Sequence, residues 1–168
     1  MPNEPTNPEP LPTTGRLMGI DYGTKRLGVS ISNDEQTIAS PLENYTRQSR
    51  NNDAAFLAKI SGEYSAVGIV IGLPVHMSGD EGGKAKEARR FGKWVGEATQ
   101  LPVAWHDERY TSLIAANYLM SSSLSSKKQK SKLDMVAAQV LLQSFLDAKD
   151  RTAPPRPLDE GDPATDVT

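Results

Sequence analysis

The chain has 168 residues, of which 37% are hydrophobic and 24% are charged, with a net charge of −2 and no cysteine. This balance is typical of one folded domain, and the lack of cysteine excludes disulfides, thiolate metal sites and a cysteine nucleophile. No apolar run reaches the roughly 18 residues of a membrane span, and the N-terminus has no signal-peptide pattern. We therefore expect a cytoplasmic protein without membrane contact.

The charge is unevenly distributed along the chain. Residues 1–15 contain two acids, and residues 151–168 contain six charged residues, four acidic and two arginines, so each segment carries −2. Both segments are rich in proline and polar residues without apolar periodicity, which predicts two disordered tails, the C-terminal one acidic. Residues 16–150 then form a single domain with a charge of +2. That charge permits a nucleic-acid partner without requiring one.

The predicted elements begin with a β-hairpin. RLMGIDYG has the pattern of a buried strand, and RLGVSISN alternates as a second strand after a tight turn at residues 23–25. IASPLENYTR is predicted as a third strand, in which Pro41 favours an edge position or a bulge. NDAAFLAKISGEY then predicts a helix, with Asn51, Asn52 or Asp53 as candidate caps.

The second half of the chain alternates strands and helices. AVGIVIGLP is predicted as a central strand, and GGKAKEARRFGKWVGEATQ as a helix with an apolar stripe of Ala88, Phe91, Val95 and Ala98. The basic residues of this helix are predicted to form a solvated face: Lys86, Arg89, Arg90 and Lys93. LPVAWHDE is the next strand, Thr111 or Ser112 begins a helix to about Ser121, and KLDMVAAQVLLQSFLDAKD forms the last helix.

This order predicts an α/β fold built on a mixed five-stranded sheet. An antiparallel three-strand meander is joined to two parallel strands by right-handed crossovers, and helices flank the sheet. In such sheets ligands bind at the carboxyl ends of the strands, where the strand order reverses.

Three carboxylates are predicted to meet at that edge. Asp21 ends the first strand, Glu108 ends the last strand, and Asp134 falls in the first turn of the last helix, followed by small residues. Each alone has an ordinary structural explanation: a turn, a solvated loop and a favourable helix dipole. Together they would repel one another without a cation, and they suit Mg2+ or Mn2+. Two such ions can activate a water and stabilise a leaving 3′ oxygen, so the trio is predicted to be both metal-binding and catalytic.

Basic residues surround these carboxylates in the sequence. Lys25 and Arg26 follow Asp21, Arg109 follows Glu108, and a lysine run precedes Asp134: Lys127, Lys128, Lys130 and Lys132. We predict substrate-phosphate contacts for Lys25, Arg26, Arg109 and Lys130, although the lysine run fits a solubilising loop equally well. The Gly-rich segment GLPVHMSGDEGG enters a helix and could hold a phosphate on backbone amides, but it lacks the ending of a P-loop.

Four segments in order, GIDYGTKRLGVS, IVIGLPVHMSGDEG, HDERYTS and KLDMVAAQVLL, resemble the YqgF (RuvX) family of ribonuclease-H-like bacterial proteins over about residues 16–149. The resemblance implies a ribonuclease-H-like fold and a nuclease that matures the 5′ end of pre-16S ribosomal RNA. The family has also been viewed as Holliday-junction resolvases. Its three acidic positions match Asp21, Glu108 and Asp134. His76 departs from the asparagine expected in many members.

Several functions remain open at this point. The first is a metal-dependent nuclease acting on pre-rRNA, within a pre-ribosomal particle, or on branched DNA; a junction resolvase would need two active sites and hence a homodimer rather than a monomer. The second is a non-catalytic RNA- or ribosome-binding module, which would not need all three carboxylates. The third is an actin-like or sugar-kinase-like ATPase, which would need a second domain that a body of this length cannot supply.

Overall fold

A computed structural model of the chain describes residues 10–74, 82–107 and 126–152, and within the last range it leaves out the side chains of 126–132 and 134. The strands are β1 (Leu17–Tyr22), β2 (Arg26–Ser32), β3 (Ala39–Thr46), β4 (Gly68–Leu73) and β5 (Val103–Asp107). The helices are α1 (Arg50–Glu63), α2 (Gly83–Thr99) and α3 (Ser126–Asp147). The helix predicted from Thr111 or Ser112 to Ser121 lies outside the described residues.

The strands form one mixed sheet in the order β3-β2-β1-β4-β5. β1 pairs with β2, and β2 with β3, in antiparallel fashion, whereas β1–β4 and β4–β5 are parallel. Ile20 lies opposite Val29 on one side and Ile71 on the other. The sheet predicted from the element order is therefore confirmed.

Pro41 lies on β3, which is one of the two edge strands of the described sheet. The β2–β3 register shifts where Val29 pairs with Glu43 and Ser30 pairs with Pro41, so Leu42 is the extra residue of a bulge. Proline has no N–H to give to a ladder, and an edge with a bulge tolerates that loss. The expected edge position and the expected bulge both occur.

The start of α1 differs from the prediction. Ser49 is the N-cap, and its hydroxyl accepts a hydrogen bond from the backbone N–H of Asn52 at 3.1 Å. The predicted caps, Asn51, Asn52 and Asp53, are therefore wrong. The helix begins at Arg50, several residues before the apolar run from which its start was predicted. Asp53 is instead a buried residue of the first turn, with 1% of its surface exposed.

The last helix is also longer than predicted. Because α3 begins at Ser126, Asp134 lies in its third turn rather than its first, and the lysine run lies on a helix rather than in a loop. Lysine and glutamine propagate a helix well without an apolar stripe, so the hydrophobic pattern alone placed the helix start too late.

Two apolar layers cover the two faces of the sheet. On one face Met18, Ile20 and Ile71 pack with Leu57 of α1 and Phe91 of α2. On the other face Leu17 and Val70 pack with residues of α3, namely Leu142, Phe145 and Leu146. On α2, Ala88, Phe91 and Val95 are buried as predicted and Ala98 is half-buried, while the basic residues of its other face are exposed.

α3 lies very close to β1 at Gly19. A Cβ atom on Gly19 would be 2.5 Å from Ser30 Oγ and 2.9 Å from Leu142 Cβ. Ser30 Oγ donates a hydrogen bond to the backbone oxygen of Ala138 at 2.7 Å, which ties the same helix to β2. Glycine at position 19 therefore sets the distance between α3 and the centre of the sheet.

Residues at the inner ends of both predicted tails, 1–15 and 151–168, are ordered and meet at Gln36, in the turn between β2 and β3. Gln36 Nε2 donates to the backbone oxygens of Pro12 and Gly15, both at 2.9 Å, and Arg151 donates to Gln36 Oε1 at 2.7 Å. Leu11 packs against the apolar layer under α3.

None of the helices in the described ranges is long and apolar enough to cross a membrane.

Candidate functional site

Asp21 lies near the carboxyl end of β1, the central strand, opposite Gly28 of β2. Side chains alternate along a strand, so Asp21 lies on the same face as Gly19, two residues earlier, where α3 covers the sheet. The Asp21 side chain is half-buried. The predicted metal ligand therefore lies at a strand end, on the face that carries the last helix.

The backbone of Asp134 lies one helical turn before Ala138, or about 6 Å along the axis of α3. Ala138 is where α3 touches the sheet, because its carbonyl oxygen contacts both Ser30 and the Gly19 position. α3 thus carries Asp134 on the face of the sheet that holds Asp21. The side chain of Asp134 is outside the described set.

Glu108 follows Asp107, the last residue of β5, and itself lies outside the described residues. The parallel registers align the strand ends, because Leu73 of β4 lies opposite Asp107 and Ile71 lies opposite Ile20. The carboxyl ends of β1, β4 and β5 therefore form one edge of the sheet, as the sequence predicted. Arg109 also lies outside the described residues.

The side chains that the structure describes include no group of three or more histidines, cysteines, aspartates or glutamates close enough to hold a metal ion. Of the predicted trio, only Asp21 has a described side chain. A half-buried carboxylate at a strand end is an oxygen donor of the kind that Mg2+ and Mn2+ prefer. Asp21 fits such an ion, and the complete ligand set remains a prediction.

His106 also lies at this edge of the sheet, and the sequence indicated no functional role for it. Its Nε2 lies 2.9 Å from Ser144 Oγ, and its ring meets Phe145 edge-on with centroids 5.6 Å apart. Burial lowers the pKa of the His106 imidazole, although the charge of Asp107 opposes this shift. His106 therefore joins the end of β5 to α3, two residues before Glu108.

The predicted phosphate-binding cations are described in part. Lys25 is exposed in the turn after β1, and Arg26 is half-buried at the start of β2, so both lie within five residues of Asp21. Lys130 lies in the second turn of α3, but its side chain is not among those described. Lys25 and Arg26 therefore share the turn that follows the candidate metal ligand.

On the other face of the sheet, an ion pair supports the turn between β1 and β2. The sequence did not indicate this pair. Asp53 accepts hydrogen bonds from Arg47 Nε at 3.1 Å, Tyr45 OH at 2.8 Å and the Gln48 N–H at 2.9 Å. Burial raises the pKa of the Asp53 carboxyl, but these bonds and the charge of Arg47 outweigh it, so the pKa lies below its ordinary value of 3.8. In the sequence, Asp53 is a single acid near the start of a helix, and this pattern does not indicate that it pairs with Arg47.

Arg47 connects this ion pair to the turn. Its Nη1 donates to the backbone oxygen of Gly23 at 3.3 Å, and its backbone N–H donates to the oxygen of Lys25 at 2.9 Å. Its guanidinium lies over the rings of Tyr22 and Phe91, 5.7 and 5.5 Å from their centroids. Asp53 thus positions Arg47, and Arg47 supports the backbone that presents Lys25.

The architecture is a ribonuclease-H-like fold. RuvC of T. thermophilus, solved in complex with a Holliday junction substrate, superimposes with a TM-score of 0.52 at 14% identity, covering 84% of this chain and 99% of that one. A profile of the RuvX family, described as Holliday junction resolvase, matches residues 15–148. The chain belongs to the RuvX family.

Relatives with known names match this chain over most of their own length and of this one. A protein of Rhodopirellula baltica named "Putative pre-16S rRNA nuclease" is 41% identical over 149 residues, which is 88% of this chain and 86% of that protein. A protein of the same name from Paracoccus denitrificans is 39% identical over 145 residues, covering 86% and 92% of the two chains. In both comparisons the similarity covers more than four fifths of each chain.

Proposed function

We propose that this protein is a metal-dependent nuclease that hydrolyses phosphodiester bonds and processes the 5′ end of pre-16S rRNA. One observation of the structure carries the proposal: the half-buried Asp21 lies near the carboxyl end of the central strand, on the face where α3 carries the backbone of Asp134. The 41% identity with the Rhodopirellula baltica protein supports the RNA substrate.

In this proposal Asp21, Glu108 and Asp134 hold Mg2+ or Mn2+. The bound metal supplies an activated water and charge stabilisation for the displacement at phosphorus. The cations Lys25, Arg26, Arg109 and Lys130 neutralise the phosphates of the substrate strand. Lys25 and Arg26 suit this role because their turn follows Asp21 directly and is supported by Arg47.

The proposed partner is pre-rRNA, presented either free or within a pre-ribosomal particle. A cytoplasmic location is part of this proposal. His106 contributes by packing the end of β5 against α3, which positions the backbone leading to Glu108.

Cleavage of a four-way DNA junction is the second candidate, favoured by the description of the family profile. Junction resolution requires two active sites acting on two strands, so this function needs a homodimer. A third candidate is a non-catalytic module that binds RNA or ribosomes.

The proposal is tested by incubating the protein and its Asp21→Asn variant with a 5′-extended pre-16S fragment and with a four-way DNA junction, each in Mg2+, Mn2+ or EDTA. Asp34→Asn is a matched control, because Asp34 is an exposed acid at the opposite end of the sheet. We expect metal-dependent RNA cleavage that Asp34→Asn retains and Asp21→Asn reduces by about 10²-fold or more.

The other outcomes separate the candidates. Equal cleavage by Asp21→Asn would refute the site. Cleavage of the junction alone, by a dimer in solution, would establish the resolvase, and tight RNA binding without cleavage in any metal would establish the binding module.

A further inference from the structure

The face of the sheet opposite Asp21 carries a groove of which the nuclease proposal uses only Lys25. It lies between the β1–β2 turn, the end of β3, α1 and α2, and it encloses about 900 Å³. We call it the Arg47 groove. Its walls combine rings and charges, chiefly Lys25, Arg47, Arg50, Glu87, Arg90 and Trp94.

Ring and guanidinium surfaces follow one another along this groove. Tyr22 and Phe91 lie with centroids 4.5 Å apart, and Phe91 and Trp94 follow at 5.7 Å. The Arg47 guanidinium covers the first two rings, and Arg50 lies 5.8 Å from the centroid of Trp94. The bases of a single strand can stack on aromatic rings and on guanidinium planes. Bases inside a duplex cannot, because the neighbouring base pairs cover both of their faces.

The charges of the groove favour a polyanion. Asp53 is already matched by Arg47, Tyr45 and the backbone of Gln48. The remaining charged side chains of the lining are three exposed cations, Lys25, Arg50 and Arg90, against one exposed acid, Glu87. This leaves a net positive surface beside stacking surfaces, which is the combination found in grooves for single strands.

The position of the groove argues for a continuous strand rather than a free nucleotide. Asp21 and Tyr22 are consecutive strand residues and point to opposite faces of the sheet, so the groove begins one residue from the candidate metal ligand. The exposed turn of Thr24 and Lys25 lines the groove and connects the two faces. A strand bound at Asp21 can pass over this turn and enter the groove.

From these observations we infer that the Arg47 groove binds a single-stranded segment of nucleic acid adjacent to the phosphate at Asp21, with bases stacked at Trp94 and Arg47 and phosphates at Lys25, Arg50 and Arg90. The link to a cleaved phosphate rests on the proposed function. The binding itself does not, because it needs no metal.

The test measures fluorescence anisotropy of a labelled 12-nucleotide RNA and of the same sequence as a duplex, in EDTA, across a range of salt concentrations. Loss of one phosphate contact to a single strand should weaken binding about 5-fold at 0.1 M salt and reduce the log–log salt slope by about 0.7. We expect this result for Arg50→Ala and for Arg90→Ala, with single strand preferred over duplex.

Two further variants separate stacking from charge. Trp94→Leu keeps an apolar side chain but loses the ring, so it should weaken binding without changing the salt slope. Glu87→Gln removes the opposing charge and should tighten binding. Lys59→Ala removes an exposed cation and Arg16→Ala a half-buried one, both outside the groove, and they should leave affinity unchanged.

An Arg50→Ala/Arg90→Ala double variant that binds like wild type would overturn the inference, as would an equal loss in Arg16→Ala. Cleavage assays on the same variants separate this failure from that of the nuclease proposal. Unchanged binding by the groove variants with intact cleavage refutes the groove alone. Weakened binding by these variants, in a protein that cuts no substrate, refutes the nuclease and supports the groove.

Discussion

Arg47 and Asp53 form an ion pair, with Nε and Oδ2 3.1 Å apart, that joins the end of β3 to the first turn of α1. The Asp53 side chain is only 2% exposed and that of Arg47 22% exposed, so water screens this pair weakly. Through Gly23 and Lys25, Arg47 then supports the turn that follows Asp21. An ion pair on one face of the sheet therefore supports the turn beside the candidate metal ligand on the other.

Replacing Asp53 by alanine should lower the free energy of unfolding by about 2–4 kcal/mol, because it leaves the partly buried Arg47 and Tyr45 without their acceptor. Urea denaturation measures the change. The control is Lys59→Ala, which removes one partner of an exposed pair on α1 and should cost less than about 0.5 kcal/mol. Equal losses in the two variants would contradict a special role for Asp53.

The same carboxyl should make stability depend on pH in the acid range. The pKa of Asp53 in the folded state lies below its ordinary value of 3.8, so the unfolded chain binds the proton more readily. The stabilisation is fully present above the ordinary pKa and is lost as pH falls through the folded-state pKa. Chemical denaturation between pH 7 and pH 2.5 should show this loss in wild type and a shallower decline in Asp53→Asn. Parallel curves would contradict it.

Gly19→Ala should reduce both stability and nuclease activity. The new methyl group would lie 2.5 Å from Ser30 Oγ and 2.9 Å from Leu142 Cβ, so α3, which carries Asp134, must shift away from β1. We expect a loss of about 1–3 kcal/mol in denaturation. Cleavage measured well below the melting temperature should fall as well.

Gly62→Ala provides the matched control for that experiment. Gly62 lies in α1, and a Cβ there meets nothing within 4 Å. This substitution should leave cleavage unchanged and stabilise the protein by up to about 1 kcal/mol. Full activity in Gly19→Ala would show that the spacing between α3 and β1 does not position the site.

Two truncations test the contact at Gln36 and the predicted boundary of the acidic tail. Arg151 donates to Gln36 Oε1 and to the oxygen of Leu146, and its guanidinium lies 5.4 Å from the Phe145 ring centroid. Deleting residues 151–168 should therefore lower the free energy of unfolding by about 1–2 kcal/mol. Deleting 153–168 retains Arg151 and should leave it unchanged. Equal stability of the two truncations would show that Arg151 contributes nothing.

The sequence by itself determined the sheet and the position of Asp21 near a strand end. Short apolar runs and the alternating segment RLGVSISN indicated the strands, and Pro41 cannot complete a ladder, so β1 to β5 and the bulged edge followed from local pattern. Asp21 could be placed at a strand end for the same reason, because a strand ends where its apolar run meets a glycine turn.

Only the tertiary structure decided how distant residues meet. Asp53 looked like one of several helix caps until β3 and α1 brought Arg47 and Tyr45 to it. Gly19 had no visible role until α3 lay against it, and the Arg47 groove draws its walls from four separate elements. Local periodicity indicates which face of a helix or strand is buried. An ion pair, a close contact between a helix and a strand, or a groove depends on how separate elements are placed relative to one another, and no single segment encodes that placement.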